Sequence, residues 1–308
     1  MSTLALTALA ETSFTAMGTD VRILVPEHTP AGAVDGARSL FMRHDAVLSR
    51  FRASSELTAL NGSAGAAFTA SPLLFASVRA ALAAARATEG AYDPGMGAQI
   101  AALGYDRSFA EIGRTVPACD ATAPGGDWRR VVVDQDARTI TLPVGMRIDL
   151  GGIAKGRAVD AAFALLRDAG VTTMMVSAGG DLRVAGRPPV GPHWGITLPE
   201  AGDRVIALQR GALATSSTSG RRWRAGGTEH HHLIDPATGL PAARGVRAVT
   251  VAARSCAQAE VAAKAALVLG PIAGADLLTR LGVAALIVPD HGAPIGIGDW
   301  PAEDAPWT

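Results

Sequence analysis

The amino-acid sequence predicts a mixed α/β protein in which hairpins interrupt an alternation of helices and strands. Residues 72–88 repeat apolar side chains at helical spacing, and residues 257–269 do the same near the other end of the chain. Residues 13–25 and 246–252 instead carry the alternating or β-branched patterns that are typical of strands. Because hairpins bring antiparallel pairs into the sheet, these patterns favour a mixed sheet over a purely parallel one.

The first half of the chain contains a predicted hairpin followed by helices. Residues 13–25 form the hairpin, which turns at residues 18–20, and residues 29–48 form a helix with one apolar face. Ser54 and Ser55 precede Glu56 and predict the cap of a short helix. Further predictions are a helix over 72–88 broken by glycine and proline at 90–94, an exposed connection over about 105–127, and two strands over 128–142.

The second half begins with a helix over residues 158–169, stopped by Gly170. Next come a buried strand over 172–177, paired strands over 194–198 and 204–208, the opening of a further unit over 212–219, a basic loop over 221–227, a strand over 246–252, helices over 257–269 and 272–281, and a final strand over 283–288. With no internal repeat visible, residues 1–308 are expected to form a single domain with two intimate lobes.

The composition excludes several classes of protein. Hydrophobic residues make up 48% of the 308 residues and charged residues 18%, which indicates a globule with a sizeable core. Lys+Arg and Asp+Glu both total 28, so no net charge points to nucleic acid or an anionic membrane. Two cysteines, Cys119 and Cys256, are too few for a disulfide framework and are expected to be free thiols.

The first residues give no sign of export or membrane insertion. Residues 1–10 are apolar but lack a basic start, and no lipobox cysteine follows them. No run reaches the roughly 18 apolar residues that a membrane helix needs. A cytoplasmic protein without a membrane segment is therefore expected.

The stretch from Arg147 to Asp160 is the strongest candidate for a functional site. It joins a strand-like segment to the helix over 158–169, and its glycines let the backbone approach a ligand closely. Free N–H groups at such a junction can meet an anion. Asp149 and Lys155 place opposite charges at its two ends, which indicates a binding site rather than a simple connector.

Several short motifs, in this order along the chain, resemble those of the ApbE family of FAD:protein FMN transferases. The resemblance covers residues 14–290; any one motif is weak, but their common order is specific. The motifs are the MGT at 17–19, the LSRF…SSEL…LN segment at 48–61, GAYDP at 90–94, DLGGIAKGRAVD at 149–160, SAGGD at 177–181, TSS at 215–217, HLIDPATGLP at 232–241 and the helix at 259–270.

The family resemblance implies an activity, a substrate and a fold. Such enzymes cleave the pyrophosphate of FAD, attach the FMN half to a Thr or Ser hydroxyl of an acceptor flavoprotein, and release AMP. The implied fold has mostly antiparallel sheets with flanking helices and a flavin cleft between two lobes. Two alternatives stay open: a non-catalytic FAD-binding or flavin-handling protein, and an FAD pyrophosphatase that releases FMN and AMP.

The resemblance also implies which residues contact FAD. Physically, Lys155 offers a cation to the pyrophosphate, Asp149 an acceptor for an adenine or ribose donor, and Tyr92 a flat face for a ring system. The whole set of expected FAD contacts is Met17, Phe51, Ala91, Tyr92, Asp93, Asp149, Lys155, Thr215, Ser216 and His232. Asp181 is expected either to bind the ligand or only to stabilise the glycine turn before it.

Three consecutive histidines, His230 to His232, suggest a metal site at first, but their side chains point in different directions and cannot all bind one ion. His232 is the one in register with the family motif. If Asp235 holds its imidazole in one tautomer, His232 is expected to act as general base on the acceptor hydroxyl. The alternative is that His232 only binds flavin or phosphate. His232, Asp235 and Lys155 are thus the expected catalytic residues.

One position departs from the family pattern for Mg²⁺. In the family, an Asp and a Thr of the last helix complete the metal site with the main-chain carbonyl at the position of Gly152. Here Glu260 keeps a carboxylate, whereas Lys264 replaces the hydroxyl on the same helical face.

Three outcomes follow from Lys264. The lysine turns away and Mg²⁺ binds Glu260, the Gly152 carbonyl and waters. Alternatively, it pairs with Glu260 and takes over part of the charge neutralisation at the pyrophosphate. In the third outcome, transfer is lost and FAD is only bound. The expectation is a weakened or altered dependence on the metal. The alternative is that Glu260 and Lys264 form a solvent-facing pair that has no functional effect.

Overall fold

An eight-stranded sheet organises the computed structural model, which describes residues 8–63, 65–112, 115–116, 126–301 and 306–307. Its strand order is β1-β2-β7-β8-β11-β16-β17-β18, and every neighbouring pair is antiparallel. The strands of this sheet are β1 (Leu9–Ala16), β2 (Thr19–Pro26), β7 (Met174–Ala178), β8 (Asp181–Ala185), β11 (Gly211–Ser217), β16 (Val246–Ala253), β17 (Ala284–Pro289) and β18 (Ile295–Ile297).

Smaller sheets and the helices complete the described part of the chain. The other strands are β3 (Phe68–Thr69), β4 (Thr115–Val116), β5 (Val132–Asp134), β6 (Thr139–Thr141), β9 (Trp194–Leu198), β10 (Arg204–Leu208), β12 (Arg222–Ala225), β13 (Thr228–His231), β14 (Ile234–Asp235), β15 (Leu240–Pro241) and β19 (Pro306–Trp307). The helices are α1 (Ala31–Leu48), α2 (Glu56–Asn61), α3 (Pro72–Ala87), α4 (Gly97–Ala102), α5 (Ala154–Asp168), α6 (Cys256–Leu269) and α7 (Pro271–Arg280). The predicted mixed, largely antiparallel fold is confirmed, since β10 with β19 and β12 with β4 form parallel pairs.

Helices α5 and α6 meet at their first turns, and this contact positions the site. A Cβ on Gly156 would lie 2.6 Å from the amide nitrogen of Ala257, so only glycine allows the two backbones to approach this closely. The Asp160 carboxylate accepts hydrogen bonds from the N–H groups of Cys256 and Ala257, at 2.9 and 3.0 Å. It thereby satisfies amides at the start of α6 that have no partner within the helix.

Two hairpin turns also lie against each other near the site. Gly179 and Gly180, between β7 and β8, have φ angles of 62° and 92°, which glycine adopts without strain. A Cβ on Gly179 would lie 2.4 Å from Thr19 Oγ1, and the Gly179 N–H donates to the Asp20 carbonyl. The MGT and SAGGD motifs are therefore in contact, although 160 positions separate them.

A second apolar cluster lies around α2 and α3. Leu57 and Leu60 of α2, Leu74 and Val78 of α3, and Ile140 of β6 are fully buried in it. The Ser55 side chain accepts from the Thr58 N–H, which confirms the predicted cap of α2. The cluster continues to Ile148 and Leu150, so the same core holds the central motif in place.

Some predicted elements differ from the observed ones. The stretch over 221–227 is a hairpin of β12 and β13 rather than a loop, because Gly226 and Gly227 form a tight turn between them. Strands β18 and β19 follow the strand predicted as final. The predicted connection over 105–127 begins with a buried side chain, Tyr105, and much of it, with Cys119, lies outside the described residues.

Cys256, in contrast, is a free thiol, as predicted, and the structure shows that it is buried. Within the described part of the chain, no helix is both long and apolar enough to cross a membrane.

Candidate functional site

A cleft of about 610 Å³ lies beside the start of α5. Its size is within the range of cavities that hold a ligand of cofactor size. Five predicted site residues, far apart in sequence, line it together: Met17, Phe51, Asp149, Lys155 and His232. Lys264, Arg50, Arg221 and Tyr105 also line it. The cleft thus combines aromatic side chains with several cations.

Asp149 is fixed by contacts on both sides. Its Oδ1 accepts from the Gly151 N–H at 2.7 Å, and its Oδ2 lies 3.3 Å from Arg50 Nε. Asn61 holds the preceding backbone, because its side chain both donates to and accepts from Ile148. Burial opposes the charge on Asp149, but Arg50 and Lys264 outweigh it, so its pKa is lowered.

Arg50 forms a cluster with two aromatic rings at the cleft, whose centroids are 5.4 Å apart. Its guanidinium lies 4.1 Å from the ring centroid of Phe51 and 4.5 Å from that of Tyr105. It also donates to the Tyr105 carbonyl at 2.6 Å. Phe51 remains 38% exposed, so part of its face is open to a ligand. A flat ring that enters the cleft meets both an aromatic surface and a cation here.

Lys155 lies between two buried carboxylates. Its Nζ is 2.5 Å from Asp181 Oδ2 and also pairs with Glu260. The other Glu260 oxygen accepts from the Gly156 N–H at 2.8 Å. Burial works against the ammonium form, yet the two carboxylates raise the pKa of Lys155 well above its usual value. Its charge is therefore largely balanced within the protein.

Thr215 and Ser216 lie on β11, outside the lining of the cleft. The Thr215 N–H donates to Asp181 Oδ1 at 3.3 Å, and its hydroxyl bonds to that of Thr250. Asp181 thus connects β11 to Lys155 in addition to its place in the hairpin turn. Thr215 therefore reaches the site only indirectly.

His232 lines the cleft, but the predicted pairing with Asp235 is wrong. One Asp235 oxygen accepts from Arg244 at 2.8 Å and the other from the Ala237 N–H at 2.9 Å, so this carboxylate stabilises the turn after β14. His232 Nδ1 is buried and, among the described residues, has no hydrogen-bond partner. Burial, together with the charges of Lys264 and Arg221, lowers the pKa of His232 well below 6.5, so the imidazole is neutral at pH 7.

Ala91, Tyr92 and Asp93 line a small second cavity of about 20 Å³, which shares Asp149, His232 and Lys264 with the cleft. The Asp93 carboxylate accepts hydrogen bonds from the N–H groups of Gly95 and Trp128, at 2.7 and 3.2 Å, and so stabilises a turn. Burial raises the pKa of Asp93. Tyr92 is buried, and its hydroxyl has no hydrogen-bond partner within the described chain.

Lys264 faces the cleft and lies against Gly152. A Cβ on Gly152 would be 2.7 Å from Lys264 Cδ and 2.8 Å from its Nζ. The Nζ is 5.8 Å from the Tyr92 ring centroid. Burial lowers the pKa of Lys264, and the charges of Asp149 and Glu260 oppose this only in part. The lysine neither turns away nor pairs with Glu260, since Glu260 binds Lys155 instead.

The arrangement around Gly152 does not fit the Mg²⁺ site that the resemblance implies. Glu260 already accepts from Lys155 and from the Gly156 N–H, and an ammonium occupies the space beside Gly152. A dication about 4 Å from an ammonium is disfavoured by roughly 8 kcal/mol at an effective dielectric constant of about 20. Among the described residues, no group of three His, Cys, Asp or Glu side chains is arranged to hold a metal ion.

Three site residues were missed by sequence reasoning. Arg50 directly precedes Phe51 in the LSRF motif, so the motif could have predicted that Arg50 lies in the site. Tyr105 is an aromatic residue in an otherwise polar stretch, and Arg221 begins the segment interpreted as a basic loop. Both residues line the cleft.

Comparisons with known proteins identify relatives of this chain. The ApbE family profile matches residues 17–287. The FAD:protein FMN transferase of Treponema pallidum (strain Nichols) is 31% identical over 303 residues, covering 88% of this chain and 82% of the relative. The enzyme of that name from Vibrio cholerae is 28% identical and covers 72% of this chain and 69% of its own.

Solved structures have the same fold. The ApbE protein of Thermotoga maritima superposes with a TM-score of 0.83 at 28% identity, covering 94% of this chain and 97% of its own. The Pseudomonas stutzeri flavinyl transferase ApbE in its apo form gives a TM-score of 0.82 at 23% identity, with 96% and 97% covered, a likeness of fold. On the profile match and the 31% identical relative, the chain belongs to the ApbE family.

Proposed function

We propose that this chain is an FAD:protein FMN transferase that moves the FMN half of FAD onto a Thr or Ser hydroxyl of an acceptor flavoprotein. The observation that carries the proposal is the cleft, where aromatic side chains and cations converge on one cavity of about 610 Å³. Two of its relatives, described above, bear the name of this activity. FAD is the substrate, and the acceptor protein is the second substrate.

The chemistry is a displacement at phosphorus. The acceptor oxygen attacks the FMN phosphorus, the bond between that phosphorus and the bridging oxygen breaks, and AMP leaves with the bonding electron pair. In phosphoryl transfer, positioning and charge stabilisation supply most of the acceleration. Lys264, Arg50 and Arg221 line the cleft and provide positive charge for the pyrophosphate.

His232 takes the proton of the acceptor hydroxyl in this proposal. Its pKa is lowered by burial and by neighbouring cations, so it is present at pH 7 as the neutral form that can accept a proton. Asp235 is not needed for this role. Lys155 holds Asp181 and Glu260 in place and thereby organises the floor of the cleft.

Product analysis tests the proposal. The protein is incubated with FAD and an acceptor flavoprotein domain that carries a Thr at its flavinylation site, both with Mg²⁺ and with EDTA, and covalent flavin and AMP are measured; transfer in either buffer supports the proposal. The expected result is a fluorescent acceptor band and one AMP per flavin transferred. An acceptor with this Thr changed to Ala is the matched control and should stay unlabelled.

The other outcomes identify the competing functions. FMN and AMP released without an acceptor, with no labelled acceptor in its presence, would indicate a pyrophosphatase. FAD bound tightly but left intact would indicate a non-catalytic flavin-binding protein. Either result overturns the transferase proposal.

A further inference from the structure

The chain uses lysine in a highly selective way. It contains 26 arginines but only two lysines, Lys155 and Lys264. Both line the same cleft, although 109 positions separate them. Lysine carries a compact point charge on a flexible stem, whereas arginine presents a wide planar fork. One of these compact cations, Lys264, lies directly against the backbone of Gly152.

The two lysines have different electrostatic surroundings. Lys155 is paired with both Asp181 and Glu260, so two negative charges face one positive charge. No carboxylate of the described residues lies within 4.0 Å of Lys264 Nζ, and the nearest acids act on it only at longer range. The charge of Lys264 is therefore not neutralised by a direct ion pair and is available to an anionic ligand. At longer range it also offsets the excess negative charge around Lys155.

The position of Lys264 is also fixed. Its Cδ and Nζ lie against Gly152, and its Nζ is 5.8 Å from the ring centroid of Tyr92. A side chain on Gly152 would displace it, so this glycine makes room for the lysine. The helix that carries Lys264 is anchored to α5 through Asp160, which holds the amides of Cys256 and Ala257.

We propose that the Lys264 ammonium is the built-in cation of the pyrophosphate site, so that this chain binds and uses FAD without a divalent metal. The inference rests on the proposed transferase function and names the group that neutralises the substrate's charge there. It follows from the ammonium beside Gly152 and from a Glu260 carboxylate whose two oxygens already have partners.

Equilibrium binding of FAD, followed by flavin fluorescence in EDTA or in excess Mg²⁺ at constant ionic strength, tests the inference. Wild-type protein should bind FAD with the same Kd, within about twofold, in both buffers. Lys264→Met should weaken binding by about tenfold or more in both, the effect of losing one hydrogen bond to a charged group. Arg222→Met, which removes an exposed arginine paired with Glu229, is the matched control and should bind as wild type does.

Lys264→Thr tests whether FAD binding becomes dependent on Mg²⁺ when the ammonium is removed. This variant restores a hydroxyl and removes the ammonium, so its binding in EDTA should be weak. Mg²⁺ should then recover at least part of the lost affinity. A wild-type Kd that improves tenfold with Mg²⁺, or a Lys264→Met variant that binds like wild type, overturns the inference.

The scarcity of lysine permits a test on the unmodified sequence, which does not depend on how the variants fold. Protein with ¹³Cε-labelled lysine should give two side-chain NMR signals, one each for Lys155 and Lys264. FAD added in EDTA should shift the Lys264 signal, and Mg²⁺ added afterwards should leave it unchanged. A Lys264 signal that ignores FAD, or moves back on addition of Mg²⁺, contradicts the inference.

The transfer assay separates failure of this inference from failure of the proposed function. Transfer that requires Mg²⁺, with normal FAD binding by Lys264→Met, overturns the inference and leaves the function standing. Metal-independent FAD binding that is lost in Lys264→Met, without any transfer to the acceptor, supports the inference and overturns the function.

Discussion

At the scale of single residues, Lys155 forms ion pairs within the protein and so contributes to its stability. Asp181 and Glu260 are both buried, at 4% exposure each, and Lys155 is the cation that pairs with them. Buried carboxylates without a partner are strongly unfavourable. The sequence motif predicts a lysine in contact with the ligand, but the structure gives it a structural function as well.

Replacing Lys155 should therefore reduce stability as well as activity. We expect Lys155→Met to lower the free energy of unfolding by about 3–5 kcal/mol, because it leaves two buried carboxylates without their cation. Urea unfolding at neutral pH measures the loss. The double variant Lys155→Met with Glu260→Gln should regain part of it, whereas equal stability of wild type and Lys155→Met would exclude this role.

His232 should affect the rate more than it affects FAD binding. We expect His232→Gln to lower kcat by about 10²–10⁴, the usual contribution of a general base, while the Kd for FAD changes by less than about fivefold. Stopped assays of covalent flavin and fluorescence titration measure the two effects. A large loss of affinity with unchanged kcat would instead make His232 a binding residue.

His232 should also contribute to the pH dependence of stability. Its pKa is lower in the folded protein than the ordinary value of 6.5. Just below pH 6.5, the imidazole is therefore protonated in the unfolded chain but still neutral in the folded one. Stability from this residue is present above pH 6.5 and decreases as the pH falls below it. The urea midpoint should thus drop less between about pH 8 and pH 5.5 in His232→Gln than in wild type; an identical drop would contradict the shifted pKa.

At the scale of elements, the close contact of α5 with α6 is the feature on which the site depends most. The sequence predicts both helices, but it starts the first one at residue 158, whereas α5 begins at Ala154 and includes Lys155. Helical periodicity identifies the apolar face of such a helix, but a contact between two backbones leaves no periodic signal. The need for glycine at position 156 can be recognised only once the position of the neighbouring helix α6 is known.

Glycine at position 156 should accordingly be irreplaceable. We expect Gly156→Ala to destabilise the protein by about 1–3 kcal/mol, as overpacking does, because its Cβ would collide with the backbone of Ala257. Gly36→Ala in α1 is the matched control: its nearest neighbours are Leu165 side-chain atoms at 3.5 Å, and alanine favours a helix. Thermal and urea unfolding compare the two, and equal effects would refute the close-contact argument.

At the scale of the whole molecule, the cleft collects residues from widely separated parts of the chain. Family resemblance locates Met17, Phe51, Asp149, Lys155 and His232 in sequence, and the structure brings them to one cavity. The order of motifs therefore predicts most of the lining. It does not predict how charges pair, since Asp235 with Arg244 and Lys155 with Glu260 depend on side-chain directions that no linear pattern records.

Ligand binding should protect these separate segments together. We expect FAD to slow amide hydrogen exchange in residues 49–52, 149–157 and 230–233 at once, and to raise the unfolding temperature as the concentration exceeds Kd. Mass spectrometry of peptic peptides measures the exchange. FMN alone is the control and should protect less because it lacks the pyrophosphate. Protection confined to one segment would show that FAD does not occupy the shared cleft.

The buried Tyr92 hydroxyl has a further consequence for the lifetime of the protein. A buried hydroxyl without an acceptor costs about 1–3 kcal/mol, and the Tyr92 hydroxyl has no acceptor among the described residues. The isosteric change Tyr92→Phe would remove it. A Tyr92→Phe variant should therefore survive digestion by a protease longer than wild type does, so one buried oxygen atom sets part of the lifetime of this protein.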